Sequence, residues 1–71
     1  MSDLEARLLD AHMQSDKRSL VSLYTEAAHQ APTPDAAAFF LTQAYVYALE
    51  TAHEDCSVLN DRLVAMGRNP D

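Results

Sequence analysis

The 71-residue chain carries the same pattern twice. Proline ends an apolar helical stretch at Pro32–Pro34 and again at Pro70, and a shift of 36 residues superposes the halves. Leu4 then falls on Phe40, Leu8 on Ala44, Ala11 on Tyr47, Ser15 on Thr51, Leu20 on Cys56, Ala27 on Leu63 and Pro34 on Pro70. A repeat of this length made of two helices is the mark of stacked helical hairpins, each unable to bury its apolar face alone. Such units present one helix face to partners, so the pattern points to binding rather than chemistry.

Punctuation divides each half into two helices. Ser2-Asp3-Leu4-Glu5 is a capping box, and the stripe Leu4, Leu8, Ala11, Ser15 predicts a first helix to about Gln14. Ser15 or Asp16 caps a second helix to about Gln30, with Leu20, Leu23, Tyr24, Ala27 and Ala31 on one side and Ser22, Glu26 and His29 opposite. The prolines force their predecessors out of the α region, and Thr33-Pro34-Asp35 opens a third helix to about Ala52. His53-Glu54-Asp55 interrupts the periodicity, and its acids are expected to cap a fourth helix. Cys56, Leu59, Leu63 and Met66 point that helix inward, with Gly67 as its left-handed stop.

The expected fold is all-α: four helices as two antiparallel hairpins in one domain spanning residues 1–71, with units 1–34 and 37–70. A small four-helix bundle is the alternative.

The third helix is unusual. Phe40, Ala44, Tyr47 and Thr51 form one apolar stripe, and Leu41, Tyr45, Ala48, Leu49 and Ala52 form a second. Phe39 and Val46 intrude even on the polar strip centred on Gln43 and Glu50. A helix apolar nearly all round is buried on several sides. Three short neighbours leave part of it to be covered from outside.

Size and charge narrow the function. A chain this short buries only about 60% of its unfolded surface, so a second subunit is an expected source of stability. The lone Cys56 cannot form an internal disulfide, which fits a reducing, cytoplasmic setting. Eleven acidic against five basic side chains give a net charge of −6, which repels phosphate backbones and excludes nucleic acid as the expected partner. No apolar run reaches the roughly 20 residues of a membrane span.

The first half resembles a tetratricopeptide repeat in register. Leu4, Leu8 and Ala11 occupy the first-helix places, and Leu20, Tyr24, Ala27 and Pro32 the second-helix places. From Ala37, the second half is similar at Phe40, Ala44, Tyr47 and Cys56, whereas Asn60 departs from the pattern and the proline comes two residues late. The resemblance implies a right-handed stack whose ligand surface is the inner side of each first helix. Carried over place by place, that surface is Glu5, Leu9, His12 and Met13, then Leu41, Tyr45, Ala48 and Leu49. The implied activity is binding of a protein or peptide partner, with self-association as a dimer, no cofactor and no catalytic residue. The family's basic carboxylate clamp is not recognisable among Arg7, Lys17, Arg18, Arg62 and Arg68.

One alternative has chemical content. Glu26-Ala27-Ala28-His29 and Glu50-Thr51-Ala52-His53 are two Glu-x-x-His sequences of the kind that di-iron bundles use, with Glu5, Asp10 or Asp61 as further ligands. The helical phase sets both pairs on polar faces, away from a bundle core. His53, Glu54, Asp55 and Cys56 lack a second ligand pair at zinc spacing. Glu54 and Asp55 oppose activation of the Cys56 thiol, which reads as a small buried residue. No glycine-rich phosphate loop is present.

Overall fold

The computed structural model describes residues 3–68; Ser2 of the capping box and Pro70 lie outside them. The described residues form four helices, α1 (Asp3–Met13), α2 (Lys17–Gln30), α3 (Pro34–Glu50) and α4 (Cys56–Ala65). Each packs against its neighbour in the chain, and the α2–α3 pairing is the most extensive. The result is an all-α slab of 31 × 29 × 14 Å. Its thin dimension matches two helix layers, since axes about 8–10 Å apart plus two Cα radii of about 2.3 Å give that thickness.

Local chemistry sets the helix ends. Asp16 caps α2, its carboxylate accepting from the Ser19 amide at 3.3 Å and from the Ser19 hydroxyl at 2.6 Å. Thr33 stands extended before Pro34, and its hydroxyl accepts from the Ala36 amide at 3.1 Å. The α4 entrance departs from expectation. Asp55 has α-region backbone angles and makes no side-chain cap bond, because a capping side chain needs the extended backbone that swings it over the first turn. Nδ1 of His53 instead accepts the Asp55 amide at 3.0 Å.

Three helices close the same way. Beyond α4, Gly67 (φ 77°) lets the Arg68 amide reach the Leu63 carbonyl and its own amide reach Val64, both at 2.9 Å. This double bond pattern satisfies carbonyls that a helix end would orphan. Ser15 (φ 54°) does the same after α1, with Asp16 donating to Ala11 at 2.9 Å. Ala52 (φ 51°) does so after α3, with His53 donating to Ala48 at 2.8 Å. That turn stops α3 at Glu50, short of the expected Ala52.

The core joins α2, α3 and α4 through Val21, Ala28, Leu41, Ala44, Ala48, Leu59 and Leu63. Tyr24, Phe40, Tyr45, Tyr47, Cys56 and Met66 pack around it, half-buried. Cys56 is therefore a partly accessible thiol rather than a buried filler. The sequence stripe on α2 captures Leu20 and Ala27 but misses Val21 and Ala28, which are equally buried. A helix between two neighbours buries a wider arc than one stripe. Its small Ala28 shares the buried cluster with Ala44 and Ala48 of α3.

Candidate protein-docking face

The two hairpins repeat, but not at the spacing that the prolines suggest. α1 ends at Met13 and α3 at Glu50, and the left-handed closures fall at Ser15 and Ala52, so the first helices repeat every 37 residues. In that register Leu4, Leu8 and Ala11 correspond to Leu41, Tyr45 and Ala48, and all six are buried or half-buried. The outward positions Glu5, Leu9, His12 and Met13 correspond to Thr42, Val46, Leu49 and Glu50, and all eight are exposed.

This corrects half of the expected partner surface. A 36-residue shift selects Leu41, Tyr45, Ala48 and Leu49. One residue of slip turns a helix by about 100°, enough to carry a set of positions from surface to core. Leu41 and Ala48 are 1% and 0% exposed, sealed against the core that includes Leu59 and Leu63, so neither can meet a partner. Tyr45 packs half-buried on the same cluster. Of the α3 residues expected there, Leu49 alone faces outward, at 55% exposure. Glu5, Leu9, His12 and Met13 of α1 are all exposed.

The outward arc of α3 holds Phe39, Thr42, Val46, Leu49 and Glu50, so three of its five side chains are large and apolar. Phe39 is 58% exposed and Val46 43%. Phe39 and Val46 were legible as intruders in the polar strip of the third helix; that strip is the outer face. On α1, Leu9 and Met13 are likewise exposed.

An aromatic seam joins the two helices. The His12 ring meets Tyr24 edge-on at 5.8 Å and Tyr47 at 6.2 Å, and its Nε2 hydrogen-bonds the Tyr24 hydroxyl at 2.8 Å. Tyr24 stacks on Tyr47 at 6.0 Å and on Phe40 at 6.2 Å. Burial, reinforced by Tyr47, holds the Tyr24 phenol above its ordinary pKa. His12 thus links α1 to α3 through Tyr47, and Leu9 and Met13 on α1 and Phe39, Val46 and Leu49 on α3 are all exposed.

Four of the five basic side chains are engaged by acids. Arg7 meets Asp3 at 2.9 Å and Glu26 at 2.7 Å, Lys17 meets Glu50 at 3.1 Å, Arg18 meets Glu54 at 3.0 Å, and Arg68 pairs with Asp35. The Glu26 carboxylate chiefly holds the Arg7 guanidinium above its ordinary pKa. Glu54 is held below the carboxylate range, first by its own backbone amide and then by Arg18 and His53. These pairs fasten α1 to α2 and the start of α2 to the end of α3, although exposed ion pairs contribute little stability each.

Two other arrangements offer less. A cleft of about 510 Å³ beside α1 and α2 is lined by Arg7, Asp10, Asp16, Arg18, Ser19 and His53 among others. Its guanidinium groups are already matched by Glu26 and Glu54, and the Ser19 hydroxyl is spent on the Asp16 cap. The Glu-x-x-His pairs do not converge. Glu26 and Glu50 face Arg7 and Lys17, His29 is exposed, and His53 accepts the Asp55 amide. Among the described residues no group of three His, Cys, Asp or Glu side chains is placed to hold a metal ion. No described helix is long and apolar enough to cross a membrane.

No family model matches the chain, and no curated protein or solved structure matches it.

Proposed function

We propose that this protein is a small, non-enzymatic helical interaction module that docks a protein or peptide partner on the outward face of α1 and α3. One observation carries the reading. Phe39, Val46 and Leu49 line the outer arc of α3 while its opposite arc already fills the core. Three large apolar side chains on one exposed arc of α3, with Leu9 and Met13 exposed on α1, are apolar surface of the kind that marks interaction sites. The tetratricopeptide-like reading draws support from the two hairpins' common phase, which gives both first helices the same outward positions.

The test compares wild type with Val46→Glu and Leu49→Glu. Each variant should keep its helical circular dichroism and melting temperature, because neither position is in the core. Proteins retained from a lysate by wild type should be lost from both variants. Identical retention by all three forms, or collapse of the fold, overturns the assignment. Light scattering after gel filtration at tens of micromolar reports whether a second copy occupies the face.

A further inference from the structure

We propose that the cleft beside α1, α2 and the α3–α4 turn binds a small zwitterion of the amino-acid type, independently of the docking face. Its volume of about 510 Å³ is in the usual range for small-molecule sites. Asp10 on α1 and Gln14 just past its end line one wall, and Arg18 and Ser22, one turn apart on α2, line the other. His53 reaches the cleft from the turn before α4 and is only 9% exposed. Its Nδ1 accepts the Asp55 amide at 3.0 Å, so the proton of the neutral ring sits on Nε2. That N–H has no hydrogen-bond partner among the described residues. The nearest carboxylate oxygen, Oε1 of Glu54, is 3.9 Å away and out of hydrogen-bond reach. Because Glu54 is itself bonded to Arg18, Nε2 faces the Arg18 side of the cleft. Polar groups on side chains this buried are normally met, and here the cleft is where a partner would stand.

The two walls offer opposite chemistry. Arg18 bonds Glu54 through Nη2 only, at 3.0 and 3.3 Å, so its Nε and Nη1 hydrogens stay available. The Ser22 hydroxyl has no partner among the described residues. Together with Nε2 of His53, these donors suit a carboxylate. Asp10 carries the other charge. Gln14 donates to both of its oxygens, at 3.0 and 3.1 Å, but no described cation pairs with it. A carboxylate has about four acceptor sites, so Asp10 can still take an ammonium group. Ala11 and Leu23 add apolar surface for a side chain.

Charge rules out simpler ligands. Among the lining residues Arg7 and Arg18 are balanced by Asp10 and Asp16, and the chain as a whole carries −6. The cleft therefore has no surplus positive charge to hold a phosphate or a lone carboxylate. A lone ammonium would leave the donors of Arg18, Ser22 and His53 unanswered. A molecule carrying both groups answers both walls, and its net charge of zero meets no opposing field.

The experiment titrates the isotope-labelled full chain with leucine, with isocaproate, which lacks the ammonium, and with isoamylamine, which lacks the carboxylate. Amide and imidazole chemical shifts report binding. Leucine should shift the signals of Asp10, Arg18, Ser22 and His53 saturably, and each truncated relative should bind about tenfold more weakly or worse, the worth of one charge-assisted contact. Asp10→Asn should reduce leucine to the level of isocaproate, and Arg18→Gln should reduce it to the level of isoamylamine. Both side chains are exposed, so the helical spectrum should not change. Val58→Ser, on the exposed side of α4, should leave leucine binding as it is. Isocaproate binding as well as leucine replaces the zwitterion by a plain anion, and isoamylamine doing so replaces it by a plain cation; either overturns the assignment. No saturable shift with leucine overturns the site itself. A loss from Val58→Ser equal to that from Arg18→Gln places the binding elsewhere and also overturns it. None of these outcomes touches the docking face on α3.

Discussion

Ala52 repeats Ser15: each lies in the left-handed region just past the first helix of its hairpin, and each lets the following amide return to an alanine carbonyl, Ala48 or Ala11. Neither residue is glycine, and the Cβ of an L-residue in this region costs roughly 1–2 kcal/mol. The chain tolerates the cost because the closure satisfies carbonyls at the end of α1 and of α3.

Ala52 is exposed, so replacing it removes strain and no packing. Ala52→Gly should therefore raise stability by about 1 kcal/mol, after the greater chain entropy of glycine is set against the relief. In a domain of this size that corresponds to a melting temperature about 4–8 °C higher. Thermal denaturation followed at the helical band checks it. An unchanged or lower midpoint would show that the left-handed conformation is not strained here.

The helices themselves were legible, and the reason is local. Thr33-Pro34-Asp35, Asp16 and Gly67 act through their own backbone neighbours, so a reader of the sequence can place them. The closures at Ser15 and Ala52 were not legible, because neither residue type announces a left-handed turn. That gap misplaced the repeat by one residue, since the prolines favour a shift of 36 while the first helices repeat at 37. Apolar side chains alone could not arbitrate: both arcs of the third helix are apolar, and only the position of α4 decides which is core. Leu41 and Ala48 therefore read as surface, whereas Val46 read as an anomaly in a polar strip. The acids before α4 misled for a related reason, since a cap depends on the backbone angles of Asp55 as well as on its carboxylate.

Leu41 and Leu49 offer a direct test of that phase. Leu41→Ala should destabilise by about 2–5 kcal/mol, the usual cost of emptying a sealed leucine site. Leu49→Ala should stay within about 0.5 kcal/mol of wild type, as exposed substitutions do. Urea unfolding of the two variants measures both values. Equal losses would mean that α3 is rotated from the orientation described.

Acid should unfold the protein partly through Asp16 and Glu54. The Ser19 hydroxyl and amide hold Asp16 below its ordinary pKa, and Glu54 is held down by its own amide and by Arg18. A carboxylate depressed in the folded state gives its full stability above the unfolded pKa and loses it as pH falls through the folded value. Their contribution is thus present at neutral pH and disappears below the ordinary carboxylate range. Asp16→Asn with Glu54→Gln keeps cap geometry at α2 but removes both titrations. Urea midpoints between about pH 5 and about pH 2 should fall less steeply for this variant than for wild type. Parallel curves would assign the acid sensitivity to other groups.

Tyr24 gives the corresponding prediction at alkaline pH. Its hydroxyl meets Nε2 of His12, its ring lies between Tyr47 and Phe40, and burial raises its pKa above the ordinary tyrosine value. A raised acid favours folding while it stays neutral, so its contribution is complete below the unfolded value near 10 and is lost as pH rises through the folded one. Ultraviolet titration of phenolate should show a late-ionising component, and Tyr24→Phe should remove it. The same substitution loses the bond to His12, so stability at neutral pH should fall by about 0.5–1.5 kcal/mol, the net worth of a typical hydrogen bond. A late component that survives in Tyr24→Phe would place the shielded phenol elsewhere and remove Tyr24 from the centre of the seam between α1 and α3.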